Sequence, residues 1–298
     1  DQLIGGGLVQ QVDKAKNYVA ALKAAVNTAL KNGCYMGAAQ IFVTNPRSGK
    51  PTVSDVEAVE IKQYVAAANL NLYVHSSYLT NPWGEKPGLG KHLARLELGL
   101  ADAVGARGLI VHLPRKTPAQ IAESIAEILE GSTGVLYLEI NSYTASDNTY
   151  ETPEKINALL AVIRAKLPPA DHKRIGVTVD TAHLWAAGVD VSTRHGAIEW
   201  CGRFDVIIGD HPVLVHLNDQ IHQCGDGRDE HAPLTYGTIW SETKMDGGLG
   251  IILEWAVEHS HDAILERKSD KPKINNQPTG CNITADYLTL TYHHWYSL

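Results

Sequence analysis

Long apolar runs are missing from this 298-residue chain. No stretch approaches the roughly 18 consecutive apolar residues of a membrane span, so no membrane partner is expected. Cysteine is scarce and scattered. Cys34, Cys201, Cys224 and Cys281 show no C-x-x-C spacing, which excludes a disulfide framework or a Cys-rich zinc finger and leaves a reducing, intracellular compartment as the expectation. The chain opens on Asp1, so the want of a leader carries little weight. Nucleotide-binding signatures are also wanting: there is no P-loop, and Gly5-Gly6-Gly7 lacks the G-x-G-x-x-G spacing of an open doubly wound sheet. No composition break and no Gly/Ser- or Pro-rich linker divides the chain, so residues 1–298 read as one domain.

Charge is sparse, at 20% of residues, and its net value of −7 would ordinarily argue against a nucleic-acid partner. Net charge is only a sum. Three bound divalent ions would offset six of the seven negative charges and concentrate positive charge where a phosphate could sit. What the chain has in excess is histidine, 14 in all, many following apolar runs.

Helical and strand patterns alternate from end to end. Strands are predicted over 3–9, 38–43, 70–75, 108–113, 135–140, 175–179, 213–217 and 263–265, with helices over 12–31, 54–69, 89–104, 118–130, 152–166, 195–204 and 249–259. Asn32-Gly33 reads as a helix stop, and Thr152-Pro153-Glu154 as a capping signature. Eight strands interleaved with helices predict an α/β fold, a single (β/α)8 TIM barrel, with an open doubly wound sheet as the alternative.

The central stretch is Arg174 to Asp190, RIGVTVDTAHLWAAGVD. Its uncharged, β-branched strand ends in Asp180 and His183, a carboxylate and an imidazole at the strand's C-terminal end, where such folds keep their chemistry. Asp180 could equally be only a helix N-cap, and a lone His is commonly structural. The other strand ends weigh against that. They carry His75, His112, Glu139, His216 and Glu266, and the loop after the seventh strand adds Asp229 and His231. Barrel strand ends converge on one rim, and buried carboxylates need cations. Nine such side chains exceed one ion's needs and suit two or three Zn²⁺, with Mn²⁺ able to occupy a carboxylate-rich position.

Loops on the same rim carry Arg47, Lys50, Lys86, Arg115, Lys116, Arg194, Arg228, Arg267 and Lys268. Singly each is a solvated charge; together they could form a phosphate-binding surface. Tyr78, Trp83 and Trp240 could pack under loops or stack on bases.

These residues resemble the endonuclease IV family of zinc-dependent abasic-site (AP) endonucleases. The motifs are VHSSYL at 74–79, VDTAHLWAAGVD at 179–190, and VHLND at 215–219 with Asp229-x-His231 after it. The forms YLTNPW, DTAHLWAAG and GTIW are most similar to the branch found in large DNA viruses of eukaryotes. The resemblance implies three Zn²⁺ per chain. His75, His112 and Glu139 would hold the first, and Glu139 would bridge to a second held also by Asp180, His216 and Glu266. His183, Asp229 and His231 would hold the third. It further implies hydrolysis of double-stranded DNA on the 5′ side of an abasic sugar, leaving a 3′-hydroxyl and a 5′-deoxyribose phosphate, and trimming of blocked 3′ ends. Glu139 and Glu266 would be the catalytic carboxylates, Glu266 as base or orienter of the attacking water. Arg47, Tyr78 and Leu79 match groove-entering positions, and Arg228 could contact phosphate. A monomer in the cytoplasm or nucleus of a host is implied, with virion association if the source is viral.

Three departures stand out. Glu230 occupies the middle of a motif that is commonly D-R-H, Gly5-Gly6-Gly7-Leu8-Val9 replaces G-A-H-V-S, and Gln220 stands where Lys is common. The alternatives are a single-metal sugar isomerase or epimerase on the same barrel, needing only Glu139, Asp180, His216 and Glu266, and a catalytically silent DNA-binding protein that keeps the fold.

Overall fold

Uncharged segments such as Ile175–Val179 form the strands of this protein because they can be covered on both faces, as a parallel sheet requires. The computed structural model describes residues 8–12, 17–83, 87–266, 273–274, 277–278, 286 and 290. The strands are β1 (Leu8–Val12), β2 (Ala38–Ile41), β3 (Asn71–His75), β4 (Leu109–His112), β5 (Leu136–Glu139), β6 (Ile175–Asp180), β7 (Val213–His216) and β8 (Asp262–Leu265). All pair in parallel, and β1 bonds to both β2 and β8, closing an eight-stranded barrel and removing the open-sheet alternative.

The crossover helices are α1 (Tyr18–Lys31), α2 (Asp55–Ala67), α3 (Pro87–Ala103), α4 (Pro118–Leu129) and α5 (Pro153–Lys166), followed by α6 (Thr181–Ala186), α7 (Arg194–Ile208) and α8 (Gly248–Glu258). Ser54 and Thr117 open α2 and α4 with reciprocal capping boxes to Glu57 and Gln120. Thr152 does not cap α5. The third helical position there is Lys155, which cannot accept from the cap amide and instead reaches Glu151 and the Ser146 carbonyl. The first strand is described over 8–12; residues 3–7 of the predicted 3–9, and 13–16 of the predicted first helix, lie outside the described residues. The six-residue α6 is not among the predicted helices, because a single turn leaves too short a periodic signal, although Asp180 is a candidate N-cap for it.

Leu22, Ile61, Leu98, Ile125, Leu160, Phe204 and Trp255 from the helices are buried in one continuous core with the strands. Each such side chain contributes about 1.5–3 kcal/mol on burial. Toward the N-terminal end of the barrel the Tyr73 hydroxyl donates to Asp262 (2.7 Å), and its ring meets Tyr137 edge-on at 5.4 Å. A Cβ on Gly176 would lie 2.6 Å from the Tyr137 ring, which is why glycine interrupts an otherwise β-branched strand. With that end filled, the opposite rim is left for polar groups.

Candidate metal centre

Strand register builds the centre. His112 pairs with Glu139 and Asp180 with His216 as direct neighbours on adjacent strands, so their side chains meet at the C-terminal rim. Glu139, Asp180 and His216 are fully buried, His75 and His183 nearly so.

The Glu139 carboxylate faces two ways. Its Oε2 is 3.2 Å from His75 Nε2 and 3.1 Å from His112 Nε2, and those two nitrogens are 3.2 Å apart. Its Oε1 is 3.1 Å from His216 Nδ1, which in turn lies 3.2 Å from Glu266 Oε2 and 3.7 Å from Asp180 Oδ2. Asp180 is shared as well. Its Oδ1 accepts the His183 amide at 2.9 Å as the N-cap of α6, while Oδ2 lies 4.0 Å from His183 Nε2 and 3.9 Å from His231 Nε2. Oδ1 of Asp180 therefore caps α6, while Oδ2 is left facing the imidazoles. Asp229 closes the third group, its oxygens 3.2 Å from His183 Nε2 and 2.9 Å from His231 Nε2.

On this rim, among the described residues, three groups could hold a metal ion: His75, His112 and Glu139; Glu139, Asp180, His216 and Glu266; and Asp180, His183 and His231. The protonation pattern suits cations. His75, His183 and His231 each direct Nδ1 at a main-chain carbonyl, those of Ser76 (2.8 Å), Ile140 (2.7 Å) and Glu266 (3.3 Å), which leaves Nε2 as the inward lone pair. His231 Nε2 is buried without a hydrogen-bond partner although Asp229 is close, the arrangement of two ligands aimed at a common point. Without cations, burial opposes ionisation throughout, yet the carboxylates prevail. Asp180 and Asp229 push His183, and Glu266 and Glu139 push His216, well above the usual imidazole range, and beside Asp229 His231 rises to about 9. Glu139, facing His112 and then His216, falls well below the carboxylate range, and Glu266, facing His216, falls to about 2.

Two amides complete the centre and had no part in the sequence reading. Gln40 on β2 accepts from His216 Nε2 (2.9 Å) and donates to Glu266 Oε1 (2.5 Å). Asn218 donates to Asp180 Oδ2 (2.8 Å) and accepts the Glu266 amide (3.0 Å). A glutamine inside the apolar strand Ala38–Ile41 was the available signal, since a buried amide needs partners.

The loop bearing Asp229 and His231 is docked on α6. Gly225 and Gly227 amides donate to the Trp185 and Ala186 carbonyls, each at 2.9 Å. Its two ends pair as a ladder between Asp219–Gln220 and His231–Ala232. Buried Gln220 staples it, donating to the Arg228 carbonyl (2.9 Å) and accepting the Ile221 (2.9 Å) and Glu230 (3.1 Å) amides.

On the rim, Tyr78 and Leu79 are exposed at a turn, and the Tyr78 amide donates to the Pro46 carbonyl beside exposed Arg47. Glu97 ties these loops together, accepting from Thr44 (2.5 Å), the Ser77 amide (2.9 Å) and Thr80 (2.7 Å). Trp83 and Trp240 are buried, their indoles donating to the His112 and Val191 carbonyls, so both pack under loops. Among the rim cations, Arg47, Lys50, Arg115, Arg194 and Arg228 are exposed, Arg115 lies over the Tyr143 ring, and Lys86, Arg267 and Lys268 lie outside the described residues. Glu230 is turned to His222 at 3.4 Å. A pocket of about 230 Å³ opens beside the first group, lined among others by His75, Tyr78, Trp83, His112, Asn141 and Tyr143.

Fold and site together define a closed parallel α/β barrel with a rim able to hold several metal ions. The family described as Xylose isomerase-like TIM barrel matches residues 28–246. A relative named "Probable AP endonuclease" from African swine fever virus (isolate Tick/South Africa/Pretoriuskop Pr4/1996) is 32% identical over 85% of this chain and 84% of its own length. A "Probable endonuclease 4" from Natronomonas pharaonis is 32% identical over 67% of this chain and 73% of its own. The solved structure of AsfvAP:AG superimposes with a TM-score of 0.85 at 29% identity, covering 97% of this chain and 98% of that one. The chain belongs to the xylose isomerase-like TIM barrels and, within them, to the endonuclease IV family of AP endonucleases.

Proposed function

We propose that the protein is a zinc-dependent AP endonuclease that hydrolyses the phosphodiester 5′ to an abasic site in double-stranded DNA, leaving a 3′-hydroxyl and a 5′-deoxyribose phosphate, and that also trims blocked 3′ ends. The observation that carries this reading is the sharing of Glu139 and Asp180 among three ligand groups. A one-metal isomerase would need a single group and leave His75, His112, His183, Asp229 and His231 unexplained. The names borne by the relatives point the same way.

His75, His112 and Glu139 would hold one Zn²⁺, Glu139, Asp180, His216 and Glu266 a second, and His183, Asp229 and His231 a third, with Asp180 beside the third as well. Imidazole-rich ligation favours Zn²⁺, and Mn²⁺ suits only the carboxylate-rich second position. Such ions supply Lewis acidity, acidifying water near neutral pH and stabilising charge on a departing 3′-oxygen, so no separate general acid is needed. Glu266 orients rather than abstracts: Oε1 accepts from Gln40, and Oε2 faces His216 and Asn218. Gln40 and Asn218 fix the carboxylates in place, and the Nδ1 bonds of His75, His183 and His231 fix the imidazole tautomers.

The pocket beside the first group would take a sugar rotated out of the helix, which costs little when no base is stacked. The exposed ridge of Arg47, Tyr78 and Leu79 beside it offers a cation and apolar wedges to a groove. Among the described residues no helix is long and apolar enough to cross a membrane.

The test is a labelled duplex with one tetrahydrofuran abasic analogue, which resists β-elimination. A single nick 5′ to the analogue with a 3′-hydroxyl, abolished by EDTA and restored by Zn²⁺, is the expected result. An intact duplex with zinc-loaded protein would favour the isomerase reading.

A further inference from the structure

A second set of metal-type donors lies at the other end of the barrel. His259 is the C-cap residue of α8 and His261 immediately precedes β8, whereas Glu266 immediately follows that strand. The four-residue strand Asp262–Leu265 separates His261 from Glu266, about 16 Å over five steps of strand rise, so this set is distinct from the rim centre. Asp205, on the neighbouring α7, completes it: the three residues offer ligand atoms all within 4.8 Å of one another.

Two of the three donors are oriented from behind. The Trp255 indole donates to Asp205 Oδ1 at 2.7 Å, leaving Oδ2 turned to His259. His259 directs Nδ1 at the Trp255 carbonyl (3.0 Å), which leaves Nε2 as its lone pair, 3.5 Å from Asp205 Oδ2. That spacing is close to the edge of a tetrahedron drawn round Zn²⁺ with ligands at about 2.0–2.1 Å. His261 Nε2 is buried with no hydrogen-bond partner. Such orphaned donors and acceptors are rare in folded proteins, and this one belongs to a side chain clustered with an imidazole and a carboxylate. Burial, and then the neighbouring His259, lower the His261 pKa to about 4, so this imidazole is neutral at pH 7 and its lone pair is available.

The backbone between the two histidines is also unusual. Ser260 adopts φ +56, a left-handed conformation uncommon outside glycine and asparagine, and the two rings lie stacked at 5.5 Å with an interplanar angle of 20°. Trp255 walls the pair, its ring 5.0 Å from His261 and 6.2 Å from His259. An ordinary His–Asp ion pair would account for His259 and Asp205. It would not account for His261, whose nitrogen faces no carboxylate partner of its own.

We propose that Asp205, His259 and His261 form a Zn²⁺ site, completed by water, that clamps α7 to the turn between α8 and β8. Two imidazole nitrogens and one carboxylate oxygen are a zinc donor set, and side-chain exposures of 41% at His259 and 28% at Asp205 leave an entry path. The role is structural, since nothing links it to the rim chemistry.

The test compares full-length parent with His259→Gln and Asp205→Asn, both altered at partly exposed positions so that folding survives. Each protein is stripped of metal, dialysed against a zinc buffer, and its metal content measured per chain. The parent should hold one ion more than either variant, and zinc should raise the parent's Tm by more than theirs. Both variants should nick abasic DNA at the parental rate. Equal metal content in parent and variants overturns the site. Because the readout is a difference, it is independent of how many ions the rim centre holds and of whether the proposed nuclease reading stands.

Discussion

His231 shows how single side chains divide chemistry from stability. Its Nε2 lacks a hydrogen-bond partner, its Nδ1 rests on a carbonyl, and its neighbour Asp229 is 37% exposed and can hydrate if left alone. His231→Ala should therefore remove one bound ion and slow abasic-site nicking by more than about 100-fold, beyond the loss that an outer hydrogen-bond partner causes. His231 is not part of the apolar core, so the variant should still fold, its Tm lowered only by the loss of that ion's stabilisation. Nicking at the parental rate would remove the third metal from the mechanism. Glu230, one residue earlier, is an exposed carboxylate turned to His222 on a surface that should meet phosphate. Glu230→Arg exchanges a repulsion for a contact. DNA binding should tighten, with the slope of log K against log salt steeper by about 0.9 for each phosphate gained. Identical affinities of the two proteins at low and high salt would place residue 230 away from the DNA.

At the scale of elements, the loop 221–230 is held in shape by one side chain. Gln220 serves three amides, those of Ile221, His222 and Glu230, and one carbonyl, that of Arg228. Its neighbour Asp219, also buried, accepts from Thr235, Gly237 and Ile239 and so fixes the segment beyond the loop. Gln220→Ala would orphan several buried groups at about 1–3 kcal/mol each, relieved where the loop can open to water. The predicted outcome is local: zinc affinity of the His183–Asp229–His231 group weaker by about 10–100-fold, with the other two groups unaffected. Metal retention during graded chelation measures this, and simultaneous loss of all ions would show that Gln220 supports the whole centre. Nothing at position 220 foretold this role. An amide's partners lie up to ten residues along the chain and across a turn that only the docked loop creates. Gln40, set in an apolar strand, did signal a need for partners but not which ones, since His216 and Glu266 are 176 and 226 residues away. By contrast the nine rim side chains were legible, because alternation of strands with helices assigns every strand end to one rim before any contact is known. Buried Trp83 and Trp240 were not, since a loop aromatic looks the same in sequence whether it packs inward or stands out.

At the scale of the whole molecule, five imidazoles and four carboxylates share one rim, and what neutralises them depends on pH. In metal-free protein burial disfavours every charge, but the carboxylates raise His183 and His216 well above their ordinary range and His231 to about 9, while Glu266 is held near 2. The signs follow from linkage. A histidine whose folded pKa exceeds its unfolded value of about 6.5 contributes stability fully below that value and loses it as pH rises through about 9. A carboxylate depressed from about 4.3 contributes above that value and loses its contribution as pH falls toward about 2. Chelated protein should thus be most stable between about pH 4.5 and 6.5 and should lose Tm steadily toward pH 9. Metal ions replace those protons, so loading should release protons and grow tighter as pH rises over the same interval. The expected result is a gap in Tm between zinc-loaded and chelated protein that widens from pH 6.5 to 9, with acidification of a weakly buffered solution on adding zinc at pH 7.5. If the two forms kept a constant gap and no protons were released, the imidazoles would already be neutral without metal, and the rim would be held together by its hydrogen bonds to Gln40, Asn218 and the main chain.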